Sequence, residues 1–206
     1  MRVIVIGATG TIGSAVVAAL SAHHDVVAVG HQQGPHRVDL TATESITQLF
    51  HTVGRFDALV CAAGRAAFGT LDDLTDADFQ LGLSNKLMGQ VNLVRIGRPF
   101  ANDRASFTLT SGVLSREPMK GSASISMVNA GLEGFARAAA LELPRGMRIN
   151  IVSPPWVAET LIARKMDPSI GLPAATVAKA YLAGVEGTMT GLTIDPRNHA
   201  GNTGGT

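Results

Sequence analysis

Apolar runs rich in Val and Ile recur along the chain, separated by polar and glycine-bearing stretches. RVIVIG (2–7), DVVAVG (25–30), DALVCA (57–62), SFTLTS (106–111) and RINIVS (148–153) are nearly continuous in apolar character. Such runs predict strands buried on both faces, as parallel strands between two helix layers are. The stretches between them predict helices over 11–22, 42–53, 75–100 with a break, 121–143 and 174–186, followed by a short strand near 190–194. This alternation predicts an α/β fold with a doubly wound parallel sheet and right-handed crossovers. Nothing suggests a second domain or a repeat, so residues 1–196 are read as one domain. The polar, Gly-rich residues 197–206 are read as a flexible C-terminal tail.

Composition narrows this picture. The chain has 206 residues, 46% apolar but only 4% aromatic, so its core must be built mostly from Ala, Val, Leu and Ile. A formal net charge of +1 implies no polyanionic partner, and the arginines are scattered rather than clustered, which argues against a nucleic-acid surface. Cys61 is the single cysteine, so no intrachain disulfide can form and a reducing, cytoplasmic setting is expected. No apolar run has the length to cross a bilayer, so no membrane partner is expected. The opening MRVIVIGATG reads as a buried strand rather than a secretory leader.

The first chemistry appears between strand and helix, in VIVIGATGTIGSAVVAAL. Gly7, Gly10 and Gly13 there permit a tight turn, close approach of backbone to a pyrophosphate and close helix–strand packing. With Thr9, Thr11 and Ile12 between them, they open a helix whose free N–H groups suit phosphates. A bare βα turn is the alternative. At the end of the second strand, where a carboxylate would bind the ribose 2′-OH of NAD, Gly30 is followed by His31, Gln32 and Gln33. His31, with Arg37, would tolerate a 2′-phosphate, so NADP is favoured with NAD possible; a solvated loop histidine is the alternative.

These residues resemble the short-chain dehydrogenase/reductase family, and the resemblance covers almost the whole chain. GATGTIG is similar to the family's glycine loop, and VDL (38–40) to its Asp-hydrophobic pair. CAAG (61–64) resembles its Asn-Ala-Ala-Gly motif with Cys61 in place of Asn, LTSG (109–112) resembles the strand ending in its catalytic Ser, and GMRINIVSPP resembles its Gly-Ile-Arg-Val-Asn segment, with Pro155 replacing the last Gly. The resemblance implies a single Rossmann-fold domain, NADP(H)-dependent hydride transfer to a small carbonyl substrate, and a homodimer formed by the helices at 75–100 and 121–143. By the same route Asp39, beside Leu40, is implied to contact the adenine. Ala62, Ala63, Gly64, Asn129 and Pro154 are implied to line the cofactor site, and Ser111 to be catalytic.

The family's Tyr-x-x-x-Lys pair is missing. Matching NAGLEGF to the family helix puts Asn129 at the Lys position and Ile125 at the Tyr position. The one tyrosine, Tyr181, has Val185 four residues on and reads as a half-buried helix residue. Lys86 stands where the family's helix carries Asn, with Asn85 one place earlier and about 100° around a helix. Turned inward, Lys86 would donate a proton or hold a bound anion; turned outward, it is a surface charge. Ser111 alone would orient substrate. No metal spacing is evident. A reduced lid, residues 156–175, offers Trp156 and Met166 as an apolar wall, while Arg116 and Glu117 read as cleft or loop charges. Three readings stay open: an NADP(H)-dependent carbonyl reductase with a non-standard proton donor, a non-catalytic NAD(P)-binding sensor or regulator, and a scaffold that no longer binds nucleotide.

Overall fold

A computed structural model describes residues 1–199. Seven strands form one parallel sheet: β1 (Arg2–Ile6), β2 (Asp25–Gly30), β3 (His36–Arg37), β4 (Phe56–Cys61), β5 (Ala101–Thr110), β6 (Arg148–Val152) and β7 (Thr193–Ile194). Their order is β3-β2-β1-β4-β5-β6-β7, so the sheet is doubly wound and reverses direction between β1 and β4. Crevices for ligands form at such a reversal, beyond the carboxyl ends of the strands.

Alternation within β1 shows how the sheet is held. Ile4 and Ile6 belong to one core cluster, and Val3 and Val5 to the other. The first cluster takes Ile46, Leu49, Phe50 and Val53 from α2 (Thr43–Val53), Leu93 and Val94 from α4 (Gly89–Gly97), and Leu132 and Ala136 from α5 (Ala123–Glu142). The second takes Val16 and Leu20 from α1 (Thr11–Leu20), and Val177, Ala178 and Tyr181 from α7 (Ala174–Glu186). Full burial of one such Val, Leu or Ile contributes about 1.5–3 kcal/mol. The few aromatics concentrate at one place: Phe50 stacks on Phe56 and Phe100 at 5.7 and 5.5 Å, and Phe56 meets Phe107 edge-on at 5.8 Å.

The differences from expectation are local. The two-residue β3 was not foreseen, because a polar HR pair carries no strand pattern. Strand β5 begins at Ala101 rather than 106, and the residues before it, Arg98–Phe100, form a 3-10 turn. The long helix over 75–100 is divided: α3 (Asp76–Leu81), a π-helical segment (Gly82–Met88) and α4 follow one another. Thr75 and Asp78 form a reciprocal capping box that starts α3. The reduced lid contains α6 (Ala158–Ala163) and a 3-10 turn (Pro168–Ile170). Of the segment read as a tail, Arg197–His199 lie in the 3-10 turn Pro196–His199; residues 200–206 fall outside the described residues.

Candidate functional site

The glycine loop leaves β1 and enters α1 with almost no room to spare. Gly7 has φ +81°, and a Cβ there would lie 2.8 Å from the Ala62 carbonyl oxygen. A Cβ on Gly13 would lie 1.9 Å from the Gly7 carbonyl oxygen, so the helix start presses directly on the loop. The N–H groups of Gly7 and Ala8 both donate to the Val29 carbonyl, and that of Gly10 to the Gly7 carbonyl. The first N–H groups of α1, from Thr11 to Gly13, have no side-chain cap. They are oriented for an anion. Thr9 and Gly10 are exposed at the loop tip, and Ile12 packs on the α1/α7 cluster.

Beside this loop runs a groove of about 180 Å³, lined by Gly7, Gly30, His31, Leu40, Ala63 and Gly64 among others. The loop and groove fit the pyrophosphate and nucleoside part of a dinucleotide, since the glycines draw the uncapped start of α1 close to the strand ends that line the groove. His31 is exposed, with Nδ1 3.2 Å from the Val38 carbonyl oxygen. Arg37 is not in the groove lining; it lines a separate surface depression with Pro35 and Gln48. Asp39 lies between two groove residues, Val38 and Leu40. Its carboxylate accepts the Thr41 hydroxyl and N–H at 2.7 and 2.9 Å, which hold it below the usual carboxylate pKa.

The second compartment is a cleft of about 200 Å³ beyond β5 and β6. Lys86, Ser111, Ile125, Asn129, Pro154 and Trp156 are in its lining. Lys86 points inward: it is 9% exposed, and its ammonium donates to the Ser111 carbonyl at 2.9 Å. Its stem lies on Gly64, where a Cβ would fall 2.8 Å from Lys86 Cγ. Burial pushes the Lys86 pKa down to about 8, slightly offset by the neighbouring Cys61. The π winding separates two adjacent residues by function of place. Asn85 Oδ1 accepts the Arg65 N–H at 2.8 Å and lines the groove, while Lys86 lines the cleft. Single π turns inside α-helices are frequent at functional sites.

Ser111 is nearly fully buried, and its hydroxyl donates to Glu133 Oε1 at 2.9 Å. Ser115 donates to the same oxygen at 2.7 Å. Sequence reasoning missed Glu133, although 125, 129 and 133 fall on one helix face. Because its proton is committed to a carboxylate, Ser111 presents lone pairs to the cleft rather than a donor. Asn129 contributes a buried amide whose Nδ2 makes a long contact of 3.4 Å to the Gly112 carbonyl and whose Oδ1 has no partner. Ile125 lines the cleft one helical turn before Asn129.

Other candidates lie elsewhere. Tyr181 is fully buried rather than half-buried: Gly184, one turn on, lets α7 settle against Thr108, and the phenol meets the Thr110 hydroxyl at 2.6 Å. Desolvation raises its pKa, so it is not an acid for the cleft. Cys61 is buried, and burial pushes its thiol up to about 12. Arg116 and Glu117 join an exposed ion-pair cluster with Asp195 and Arg197 that ties the loop after Ser111 to the end of the chain. Trp156 reaches the cleft wall, whereas Met166 is exposed and outside it.

Comparison with known proteins is consistent across sequence and structure. A family model described as enoyl-(acyl carrier protein) reductase matches residues 7–188. A curated short-chain dehydrogenase/reductase of Stachybotrys chlorohalonatus (strain IBT 40285) is 32% identical over 111 residues, covering 52% of this chain and 44% of that relative. The match therefore spans less than half the length of that relative. Among solved structures, a Listeria innocua protein shares 40% identity at a TM-score of 0.91, covering 95% of this chain and 98% of its own. A small-chain dehydrogenase solved in complex with NADPH shares 28% identity at a TM-score of 0.83, covering 95% of each chain. No helix among the described residues is long and apolar enough to cross a membrane.

Proposed function

The chain belongs to the short-chain dehydrogenase/reductase family, and on that premise we propose that it is an NADP(H)-dependent reductase of a small carbonyl compound in which Lys86 is the proton donor. The observation that carries this reading is the buried ammonium of Lys86, aimed into the cleft and bound at 2.9 Å to the carbonyl of Ser111. Gly7, Gly10, Gly13 and the start of α1 would hold the pyrophosphate; His31 would face the adenosine ribose and its 2′-phosphate; Asp39 and Leu40 would lie beside the adenine. Ala62, Ala63, Gly64 and Pro154 would border the nicotinamide half, and Asn129 would hydrogen-bond its ribose. When bound, reduced nicotinamide supplies the hydride.

Lys86 then donates a proton to the substrate oxygen. Three properties equip it: a charged form at neutral pH, spare N–H donors beyond the one used on Ser111, and a pKa lowered towards the working range. Ser111, with its own proton on Glu133, accepts a hydrogen bond from the product hydroxyl and orients it. The apolar walls at Ile125 and Trp156 exclude water from this exchange. By family resemblance the protein would work as a cytoplasmic homodimer, with residues 1–196 as its single cofactor-binding domain and 197–206 as a tail.

A second reading has its own support. By the family resemblance Ile125 would stand at the tyrosine position, and no tyrosine is in the cleft lining among the described residues. A protein that binds NAD(P) as a sensor without turnover would look the same at the glycine loop. One series of measurements separates the readings. Titration with NADPH and NADH, followed by nicotinamide fluorescence, tests the cradle; loss of NADPH absorbance with a panel of aldehydes and ketones tests the chemistry. Turnover that disappears in Lys86→Met while NADPH still binds supports the reductase. Micromolar binding without turnover of any carbonyl supports the sensor, and no binding of either cofactor sinks both.

A further inference from the structure

The charged side chains lining the cleft are two cations, Lys86 and Arg164, and no acid. Lys86 stands at Ser111. Arg164 stands at Trp156, its guanidinium carbon 6.0 Å from the ring centroid. The wall between such groups is apolar, with Phe68, Leu114 and Ile125 contributing. Arg164 closes α6 and is exposed to solvent, and among the described residues it is in no ion pair. The acids of its own segment are engaged elsewhere: Glu159 accepts the Ala174 N–H, and Asp167 accepts the Ser169 N–H and hydroxyl.

Against these two cations stands one carboxylate behind the lining, Glu133, which is taken up by the Ser111 and Ser115 hydroxyls, so the surplus charge of the recess is positive and draws anions into it. A neutral carbonyl compound would use Lys86 and leave Arg164 with no partner. A guanidinium over an indole at this distance keeps its fork of N–H donors free, and that fork matches a carboxylate in a bidentate pair. We propose that the cleft takes a small oxo carboxylic acid, with its carboxylate on Arg164 and its carbonyl facing Lys86. The carbonyl half of this assignment rests on the hydride-transfer reading above; the carboxylate half stands on Arg164 and Trp156 alone. Arg164 is thus the specificity-determining residue of the site.

Trp156 is the chain's single tryptophan and lies against Arg164, so its emission reports on the carboxylate end without any turnover. The probes are pyruvate and levulinate, each with its methyl ester, titrated with and without NADP⁺. Saturable change is expected with at least one acid, and about tenfold weaker binding of its ester, as befits a hydrogen-bonded charge. Arg164→Gln should abolish the acid's advantage, and Arg164→Lys should restore only part of it. An unchanged melting temperature checks that the variants fold. Equal response to acid and ester, no response to either acid, or full acid binding by Arg164→Gln overturns the proposal. NADPH oxidation with the same probes tests the other reading separately: an acid that binds through Arg164 but is never reduced keeps the carboxylate site and removes the hydride transfer.

Discussion

Gly13 and Lys86 belong to two neighbouring compartments that are built on opposite principles. Around Gly13 the work is done by backbone: a turn at φ +81° on Gly7, uncapped helix N–H groups, and contacts so close that a Cβ has no place. Around Lys86 it is done by side chains: an ammonium on a carbonyl, two serine hydroxyls on one carboxylate, and an amide oxygen without a partner. Backbone geometry tolerates almost no substitution, so the groove keeps its motif. Side-chain chemistry can be exchanged piece by piece, so the cleft is the compartment free to vary.

The sharpest way to break this comparison is to give the groove a side chain. Gly13→Ala places a methyl 1.9 Å from the Gly7 carbonyl oxygen, which is backbone and cannot swing away. The loop must move or the helix must shift, at about 3 kcal/mol. Binding of NADPH is expected to fall by more than tenfold and the melting temperature to drop. Calorimetry and a fluorescence titration check both. If Gly13→Ala binds NADPH like the parent, the cradle does not depend on backbone contact and the contrast between compartments fails.

Next in size is Lys86→Met, which keeps the stem against Gly64 and removes the charge. Losing a positioned acid is expected to lower kcat by roughly 10²–10⁴-fold with little change in NADPH affinity. In the parent, kcat should decline as pH rises through about 8, where the ammonium loses its proton, and that limb should vanish in the variant. Stability carries the same signature. The folded pKa of about 8 lies below the ordinary value of 10.5, so between these limits the unfolded chain holds more protons and parent stability rises with pH. Below about 8 the buried charge costs roughly 3 kcal/mol, because a tenfold change in proton affinity is worth about 1.4 kcal/mol. Lys86→Met should therefore be more stable than the parent at neutral pH, with the advantage shrinking towards pH 10.5. Denaturant titrations across that range decide it. A variant that is less stable at neutral pH would show that the ammonium is stabilising as well as functional.

A smaller effect is expected at Glu133. Glu133→Leu strands two hydroxyls, of which Ser111 is nearly fully buried, and should cost about 1–3 kcal/mol. Glu133→Gln keeps an acceptor oxygen for both hydroxyls and should cost less. Denaturant unfolding of the pair measures the difference. Equal cost for both would mean that packing, not the hydroxyls, explains why the carboxylate is buried.

The two compartments also differed in how far they could be read from sequence. The glycine loop was legible because its requirement is local: strand, turn and helix stand in one stretch, and only glycine meets it. The doubly wound parallel sheet was legible too, as continuous apolar runs between helices admit few topologies. In the cleft, Ile125 and Asn129 could be placed by their four-residue spacing on one helix face, and both line it. Glu133 could have been found by extending that same face by one more turn, where a lone acid among apolar residues was the signal. The π winding of Gly82–Met88 left no such mark, because no residue pattern sets it apart from the α-helices on either side. Neither Arg164 nor Tyr181 was readable: one depends on where a short helix ends, the other on a glycine that brings α7 down onto β5.

The least costly change probes the one place where the groove relies on a side chain. His31 Nδ1 lies 3.2 Å from the Val38 carbonyl oxygen, a contact that places the ring proton on Nδ1. The contact holds the ring at the groove, beside Gly30 and Leu40. His31→Asp puts a carboxylate at the end of the second strand, where it favours a ribose 2′-OH and repels a 2′-phosphate. The ratio of NADPH to NADH affinity should therefore fall severalfold in His31→Asp and change little in His31→Gln. Fluorescence titrations of both cofactors measure the ratio. A ratio in His31→Asp as high as the parent's would take position 31 out of cofactor choice and leave the groove, like the loop beside it, a matter of backbone alone.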